Sequence, residues 1–479
     1  MDAEAEILIP YSLQFSDLLF LSSAGSPSTS EELERLRSVT DSVMESLGPS
    51  GPGLLSIVGV PRTERLRRDL LHFARRLALL EKKDRARILK EHGLGSDVPL
   101  KNPDRNVSSF ALQLKYQQNQ SLAPFSSCPC NIEEVGGIAE DEQTVHGLQD
   151  LIDQEFKQLG KTFKGLGHCM MELGLMLAQV CDKAIGEEVL VQSIVRSCTA
   201  KGRLIHYHSL LDNLILKEVN RSKGFRKKVG PGALTPSLSH GFSRPKDKAF
   251  LEAGMGTVDE PVQLDNLHSE NGSTEARRHR TYSDLWQQWH YDYGIFTVLT
   301  MPLFLSATSV EDGIQECISP DGHTYLQLYD SSKNKVLLVK SLPESFIIQV
   351  GEAADILSHG KLRPTLHSVG KPLEFENLSR ETFVVFLQPS WDQTLSYSEH
   401  LNCRSNQEYL SSSKGTCNKE DPLNSVVVGS QEPFQLMQGI LRKIPPLSSR
   451  LRDGMTFAEF ARETTKQYYG GSGIQSRDK

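Results

Sequence analysis

The chain has 479 residues, of which 38% are hydrophobic and 24% are charged, and its formal net charge at pH 7 is −7. This composition is typical of a soluble globular protein, and the small net charge gives no strong attraction to nucleic acid or membrane. Eight cysteines are scattered along the chain, and only Cys128 and Cys130 stand close together. Without a second close pair to complete a zinc site, this usage predicts reduced thiols in an intracellular protein.

The N-terminal region, residues 1–200, is predicted to be mainly helical. Its first residues, MDAEAEILIP, are acidic and lack the basic start of a signal peptide, and the apolar run 15–21 is shorter than the roughly 20 residues that span a bilayer. We therefore expect a cytoplasmic protein without a membrane segment. A buried strand is predicted at 54–61, and apolar spacing predicts helices at 63–92 and 143–183.

The central region, residues 201–398, has a different pattern. Short strand-like runs follow one another and are separated by turn signals such as Pro320-Asp321-Gly322, with no alternation of strands and helices. Such a pattern predicts a double-stranded β-helix, or jelly roll. The expected fold class is mixed α and β: a jelly-roll core with N-terminal helices, an N-terminal strand and a C-terminal helix.

Two polar segments interrupt or follow this core. Residues 216–281 contain few large apolar side chains and are predicted to form a disordered insertion between barrel strands. The insertion begins with a basic cluster that is typical of a nuclear address, a docking patch for a protein partner, or a solvated loop. Residues 399–479 are predicted to be a polar linker and C-terminal helices, with Thr456 as a helix cap.

Candidate metal ligands occur in the second half of the core. His290 and Asp292 are two residues apart, and residues i and i+2 of a strand point to the same face. Of the 14 histidines, His290 alone is followed two residues later by Asp. His367 lies within a strand-like run, whereas the other candidates, His323 and His359, lie beside or within turns. Two His, one carboxylate and open positions form the triad of non-haem Fe(II) oxygenases.

A candidate carboxylate anchor follows the distal histidine. Arg380 and Thr382 share one face of a predicted strand. A buried Arg beside a hydroxyl suits the bidentate capture of a carboxylate.

These motifs resemble the isopenicillin N synthase-like branch of the Fe(II)/2-oxoglutarate-dependent oxygenases. Members of this branch show HxD, a strand that ends in a Gly-Asp turn, Leu-x-x-x-Ser-Asn-Gly, a distal His and Arg-x-Ser. They also carry an R-x-N-x-Y segment, whose Tyr helps to hold the cosubstrate carboxylate. The corresponding positions in this chain are His290-x-Asp292, Gly351-Glu352, Asp355-Ile356-Leu357-Ser358-His359-Gly360, His367, Arg380-x-Thr382 and Arg203-x-Ile205-x-Tyr207.

The chain departs from this pattern at four positions of the motifs. Glu352 replaces the turn Asp, His359 replaces the turn Asn, Thr382 replaces Ser and keeps the hydroxyl, and Ile205 replaces Asn. The interval between His367 and Arg380 is also a few residues longer.

The resemblance implies that His290, Asp292 and His367 hold Fe(II), and that Arg380, Thr382 and Tyr207 hold 2-oxoglutarate. O₂ would be reduced while 2-oxoglutarate is decarboxylated to succinate, and a small organic substrate would be hydroxylated or otherwise oxidised. Two alternatives stay open. One is a catalytically silent jelly roll that binds a partner, and the other is an iron enzyme of this fold that uses no 2-oxo acid. The oligomeric state and the substrate are not predicted.

Overall fold

The computed structural model describes residues 6–23, 29–96, 106–116, 148–226, 285–306, 314–331, 333–372, 374–401 and 439–469. The compact unit described below comprises residues 1–219 and 283–479. The strands are β1 (Glu6–Leu8), β2 (Ser12–Gln14), β3 (Leu54–Val58), β4 (Gly95–Ser96), β5 (Val107–Lys115), β6 (Thr199–Tyr207), β7 (Leu285–His290), β8 (Phe296–Thr300), β9 (Leu303–Ser306), β10 (Gln315–Cys317), β11 (Leu326–Asp330), β12 (Lys335–Val339), β13 (Phe346–Val350), β14 (His367–Gly370), β15 (Leu378–Leu387), β16 (Thr394–Leu395) and β17 (Met455–Thr456). The helices are α1 (Phe15–Ser22), α2 (Ser30–Leu47), α3 (Thr63–Leu79), α4 (Lys82–Glu91), α5 (Leu148–Phe156), α6 (Leu159–Ile185), α7 (Val189–Ser197), α8 (Leu210–Arg226), α9 (Glu352–Leu357), α10 (Leu447–Arg450) and α11 (Phe457–Tyr469).

The core consists of eight strands in two antiparallel sheets. The first sheet has the order β13-β8-β15-β6, and the second has the order β12-β11-β14-β7. Consecutive core strands mostly alternate between the two sheets, which is the connectivity of a jelly roll. The predicted fold class is therefore confirmed.

Peripheral elements widen both sheets. Strand β3 pairs with β13 at one edge of the first sheet, and β5 pairs with β6 at the other. Strand β1 lies parallel to β12 at the edge of the second sheet. The long helix α6 covers the outer face of the first sheet, where the rings of Phe163 and Phe383 meet edge to face at 4.7 Å. This helical layer packs against the first sheet on the side away from the barrel interior.

The two long helices predicted in the N-terminal region are each divided in the structure. The segment 63–92 forms α3 and α4, because Leu80 is extended and ends α3. The Arg85 guanidinium donates hydrogen bonds to the carbonyl groups of Ala78 and Leu80, which satisfies the end of α3. The segment 143–183 forms α5 and α6, which meet at residues 157–158, and residues 143–147 lie outside the described residues.

The remaining expectations about the chain are met in part. Thr456 caps α11, since its Oγ1 accepts a hydrogen bond from the Glu459 N–H at 3.3 Å while the Glu459 carboxylate reaches back to Thr456. Helix α8 covers residues 216–226 of the predicted insertion, and residues 227–284 lie outside the described residues, as do Cys128 and Cys130. None of the four described cysteines forms a disulfide bond with another described residue. Among the described residues, every helix is too short or too polar to cross a bilayer.

Candidate metal and cosubstrate site

Three ligand-type side chains converge at one end of the barrel. His290 is the last residue of β7 and pairs with His367, the first residue of β14, and Asp292 follows two residues after His290. The His290 Nε2 lies 3.7 Å from Asp292 Oδ1, and the His367 Nε2 lies 3.8 Å from Asp292 Oδ2. Both imidazoles are buried. The two Nε2 atoms and the carboxylate thus surround one point, which is the arrangement that a single metal ion requires.

Both imidazole rings are fixed by backbone carbonyl groups. The Nδ1 of His290 lies 2.8 Å from the Gln288 carbonyl oxygen, and the Nδ1 of His367 lies 3.0 Å from the Thr365 carbonyl oxygen. Because a carbonyl only accepts hydrogen bonds, each Nδ1 carries the proton and each Nε2 presents a lone pair. Burial, with a contribution from His367, lowers the pKa of His290 to about 4, so its ring is neutral at pH 7.

The loop that carries Asp292 is held by the start of α9. Thr297 Oγ1 donates a 2.7 Å hydrogen bond to Asp292 Oδ2, and the Glu352 N–H donates one of 2.8 Å to the Asp292 carbonyl oxygen. Gly351 packs against this loop so closely that a Cβ there would overlap with the Gly294 carbonyl oxygen. The Gly-Glu turn of the motif therefore holds the backbone of Asp292, and the Thr297 hydroxyl orients its carboxylate.

Glu352, which stands where the family motif has Asp, pairs with a residue far along the chain. The buried Glu352 carboxylate accepts two hydrogen bonds, of 2.6 and 2.7 Å, from the guanidinium of Arg450. That guanidinium lies over the rings of Phe460 and Tyr468 in α11. The longer side chain of Glu thus reaches the C-terminal segment and ties α11 to the Asp292 loop.

The three predicted anchor residues lie together deeper in the barrel. Arg380 of β15 pairs with Tyr207 of β6, and Thr382 pairs with Ile205. The Arg380 guanidinium lies 5.1 Å from the centre of the Tyr207 ring, and its Nε donates a 3.0 Å hydrogen bond to the Thr324 carbonyl oxygen. Both Arg380 and Thr382 are buried. Residue alternation along β15 aims them at the interior, away from the helical layer.

The electrostatics of Arg380 favour an anionic ligand. Burial lowers the pKa of the Arg380 guanidinium, which nevertheless stays charged at neutral pH. The Tyr207 hydroxyl and the Glu381 carboxylate oppose this lowering, but no ion pair between described residues includes Arg380. A buried guanidinium is costly unless it is paired with a charge. A carboxylate that enters the barrel would supply that charge.

Sequence reasoning missed Gln287, which links the two halves of the site. The Tyr207 hydroxyl donates a 2.9 Å hydrogen bond to Gln287 Oε1, and Gln287 Nε2 lies 3.0 Å from His290 Nε2. Gln287 therefore contacts the same nitrogen that a metal ion would use, and it lies between that nitrogen and the anchor. A glutamine three residues before a histidine is not a recognised sequence motif. Only the strand pairing shows that Gln287 lies between the metal ligands and the anchor.

A second group of ligand-type side chains lies on the opposite face of the first sheet. It comprises the buried side chains of His206, His208 and Asp212. The Arg75 guanidinium contacts Asp212 at 2.7 Å, and His206 Nδ1 contacts the Glu381 carboxylate at 2.9 Å. Burial would lower the pKa of His206, but the Glu381 and Asp212 carboxylates raise it to about 9. Two cations and two carboxylates thus neutralise one another, and the group forms a buried ionic network.

The other histidine candidates stand apart from the site. His359 adopts a positive φ of 52° in the turn after α9, a conformation that Asn also tolerates, which explains why it replaces the turn Asn. His323 is buried and its Nδ1 accepts a hydrogen bond from the Tyr325 N–H. Neither belongs to a described group of metal-ligand type.

No protein-family model matches the chain, and no curated protein matches it in sequence. Among solved structures, the chain is similar to a full-length Neurospora crassa protein in complex with α-KG (14% identity; 84% of this chain and 93% of that chain covered; TM-score 0.43). It is also similar to the dioxygenase for auxin oxidation from rice (15%; 85% and 97%; 0.40) and to that from Arabidopsis thaliana (12%; 81% and 94%; 0.38). At these identities and scores, the likeness carries no functional conclusion for this chain.

Proposed function

We propose that the protein is an Fe(II)/2-oxoglutarate-dependent dioxygenase of the isopenicillin N synthase-like branch that oxidises a small organic substrate. The observation that carries the proposal is the convergence of His290, Asp292 and His367 above a buried Arg380 in one jelly-roll barrel. A metal triad and a carboxylate anchor serve different ligands, and a bifunctional cosubstrate explains why both occur in one cavity. We also propose a cytoplasmic location, on the basis of the eight scattered cysteines, of which only Cys128 and Cys130 stand close together.

The donor set fits Fe(II). Two neutral imidazoles and one carboxylate suit this metal, and three protein ligands leave coordination positions for a cosubstrate and O₂. The hydrogen bonds from Nδ1 to backbone carbonyl groups fix both rings and raise the basicity of the ligating nitrogens. When bound, the iron would supply the oxidising chemistry, in which 2-oxoglutarate is decarboxylated to succinate and oxygen is transferred to the substrate.

The residues of the chain bind and orient the cosubstrate. The guanidinium of Arg380 and the hydroxyl groups of Thr382 and Tyr207 would hold the carboxylate remote from the metal. The apolar side chains of Ile205, Trp286, Val369 and Val384 line the barrel beside them and exclude water. A dry cavity strengthens the ion pair between the carboxylate and Arg380.

The metal assignment is tested by measuring the iron content of protein loaded anaerobically with Fe(II). We expect one iron per chain in the wild type and less than about a tenth of that in His290→Ala/His367→Ala, because the single remaining carboxylate holds iron poorly. His359→Ala is the matched control, since this histidine lies outside the triad, and it should bind iron like the wild type. Stoichiometric iron in the double variant would refute the assignment, and no iron in the wild type would favour the catalytically silent alternative.

A further inference from the structure

The interior face of β6 carries a second arginine, at the metal end of the barrel. Arg203, Ile205 and Tyr207 alternate along the strand, so the three side chains lie on one face. Arg203 pairs with Val384 on β15, whereas Tyr207 pairs with Arg380. Four residues of strand correspond to about 13 Å. Arg203 is therefore displaced along the barrel from the proposed cosubstrate anchor.

Contacts around Arg203 place its guanidinium near the metal triad. The guanidinium carbon lies 5.2 Å from the centre of the Phe386 ring. Phe386 pairs with Thr297 on β8, and the Thr297 hydroxyl is the group that donates to Asp292 Oδ2. Arg203 is thus level with the triad, where an oxidisable carbon must lie.

We propose that Arg203 recognises a carboxylate group on the substrate. The inference rests on the proposed function and specifies its substrate class: a small organic acid whose apolar body packs against the interior side chains. Guanidinium groups bind carboxylates through paired charged hydrogen bonds, and the ring of Phe386 restricts the orientation of the fork. The surroundings supply the apolar contacts, since Ile205, Leu299, Val384 and Phe386 face the same interior.

The distance from Tyr207 separates this role from that of Arg380. A carboxylate held by Arg380 and Tyr207 cannot simultaneously reach a guanidinium that is about four residues away along the strand. The substitution of Asn by Ile205, between the two positions, replaces a polar contact by an apolar one. The barrel interior beside β6 therefore has Arg203 towards one end and Arg380 of β15 towards the other, with the apolar side chain of Ile205 between them, which suits two separate acids.

The test compares carboxylates with their uncharged amides on the anaerobic complex of the protein with Fe(II) and 2-oxoglutarate. The probes are hexanoate, phenylpropanoate and naphthylacetate, each paired with its carboxamide, and the readout is the perturbation of the visible charge-transfer band. In the wild type we expect at least one carboxylate to bind tenfold or more tightly than its amide, because charged hydrogen bonds outweigh neutral ones. Arg203→Met should bring the two affinities to within about twofold, and Arg203→Lys should retain part of the preference.

The affinity for 2-oxoglutarate distinguishes the outcomes. We expect it to change by less than about twofold in Arg203→Met, which also shows that the variant is folded. A marked loss of 2-oxoglutarate binding in that variant would assign Arg203 to the cosubstrate and overturn the inference. The same conclusion would follow if no carboxylate were preferred, or if the preference survived in Arg203→Met. If the wild type forms no complex with Fe(II) and 2-oxoglutarate, the proposed function itself fails, and the inference fails with it.

Discussion

The buried network around His206 should make the free energy of unfolding depend on pH. The groups that face His206 are Glu381 on β15, Asp212 on α8, Arg75 on α3, and His208. The pKa of His206 is about 9 in the folded chain, against 6.5 for an unperturbed imidazole. Because the folded value is the higher one, the stabilisation is fully present below pH 6.5 and is lost as the pH rises through 9. The difference between these values, at about 1.4 kcal/mol per pH unit, corresponds to roughly 3 kcal/mol.

The assay is urea unfolding of the wild type and of His206→Asn at intervals between pH 6 and pH 10. The free energy of unfolding of the wild type should fall across this window, and that of His206→Asn should fall less, since Asn does not titrate. His168→Asn is the matched control, because burial lowers the pKa of His168, so the stability linked to this imidazole rises with pH instead of falling. A wild-type curve with no more slope than that of His206→Asn would refute the assignment of a protonated His206.

Three further predictions concern the anchor, the C-terminal clamp and the metal loop. Arg380→Met should raise the dissociation constant for 2-oxoglutarate by roughly ten- to a hundredfold, measured anaerobically with Fe(II), because a charged hydrogen-bonded pair is worth about 1.5–3 kcal/mol. Arg450→Met should destabilise the fold by about 3–5 kcal/mol in urea unfolding, because it leaves the buried Glu352 carboxylate unpaired, and Glu352→Leu/Arg450→Met should recover part of that loss. Gly351→Ala should weaken iron binding, because its Cβ would push the Asp292 loop away, whereas Gly165→Ala, where a Cβ meets open space, should not.

A specific result would contradict each of these three predictions. Thr382→Ser keeps the hydroxyl group and should bind 2-oxoglutarate like the wild type, and unchanged binding in Arg380→Met would place the anchor elsewhere. A double variant at Glu352 and Arg450 that is less stable than the single variant would contradict the unpaired-charge argument. Equal iron affinity in the two glycine variants would show that the loop tolerates the displacement.

Local sequence patterns were sufficient to predict which side chains lie together when that depends only on alternation along one strand. The spacing of Arg380 and Thr382 predicted two side chains on one face of a strand, and β15 carries both. Asp292 lies in the loop after β7 and not on the strand itself, but its carboxylate still lies 3.7 Å from His290. The succession of short strands and turns, which is also a local pattern, predicted the jelly roll.

Features that depend on register or on distant partners could not be read from local patterns. Apolar spacing continues across the break between α3 and α4, so nothing in the periodicity marks the extended Leu80. The pairing of Glu352 with Arg450 joins residues 98 positions apart. The substitution of the motif Asp by Glu352 did not by itself predict this partner. The role of Gln287 depends on the pairing of β7 with β14 and on the hydroxyl of Tyr207, which only the assembled barrel brings together.

The most direct test of the central claim is an anaerobic titration of the protein with Fe(II) and 2-oxoglutarate, followed by visible absorption. We predict a weak charge-transfer band that reaches a maximum at one iron and one 2-oxoglutarate per chain. The band should be absent in His290→Ala/His367→Ala and should require much more 2-oxoglutarate in Arg380→Met. Absence of the band in the wild type, with iron bound, would contradict the use of 2-oxoglutarate and would favour an iron enzyme of this fold that needs no 2-oxo acid.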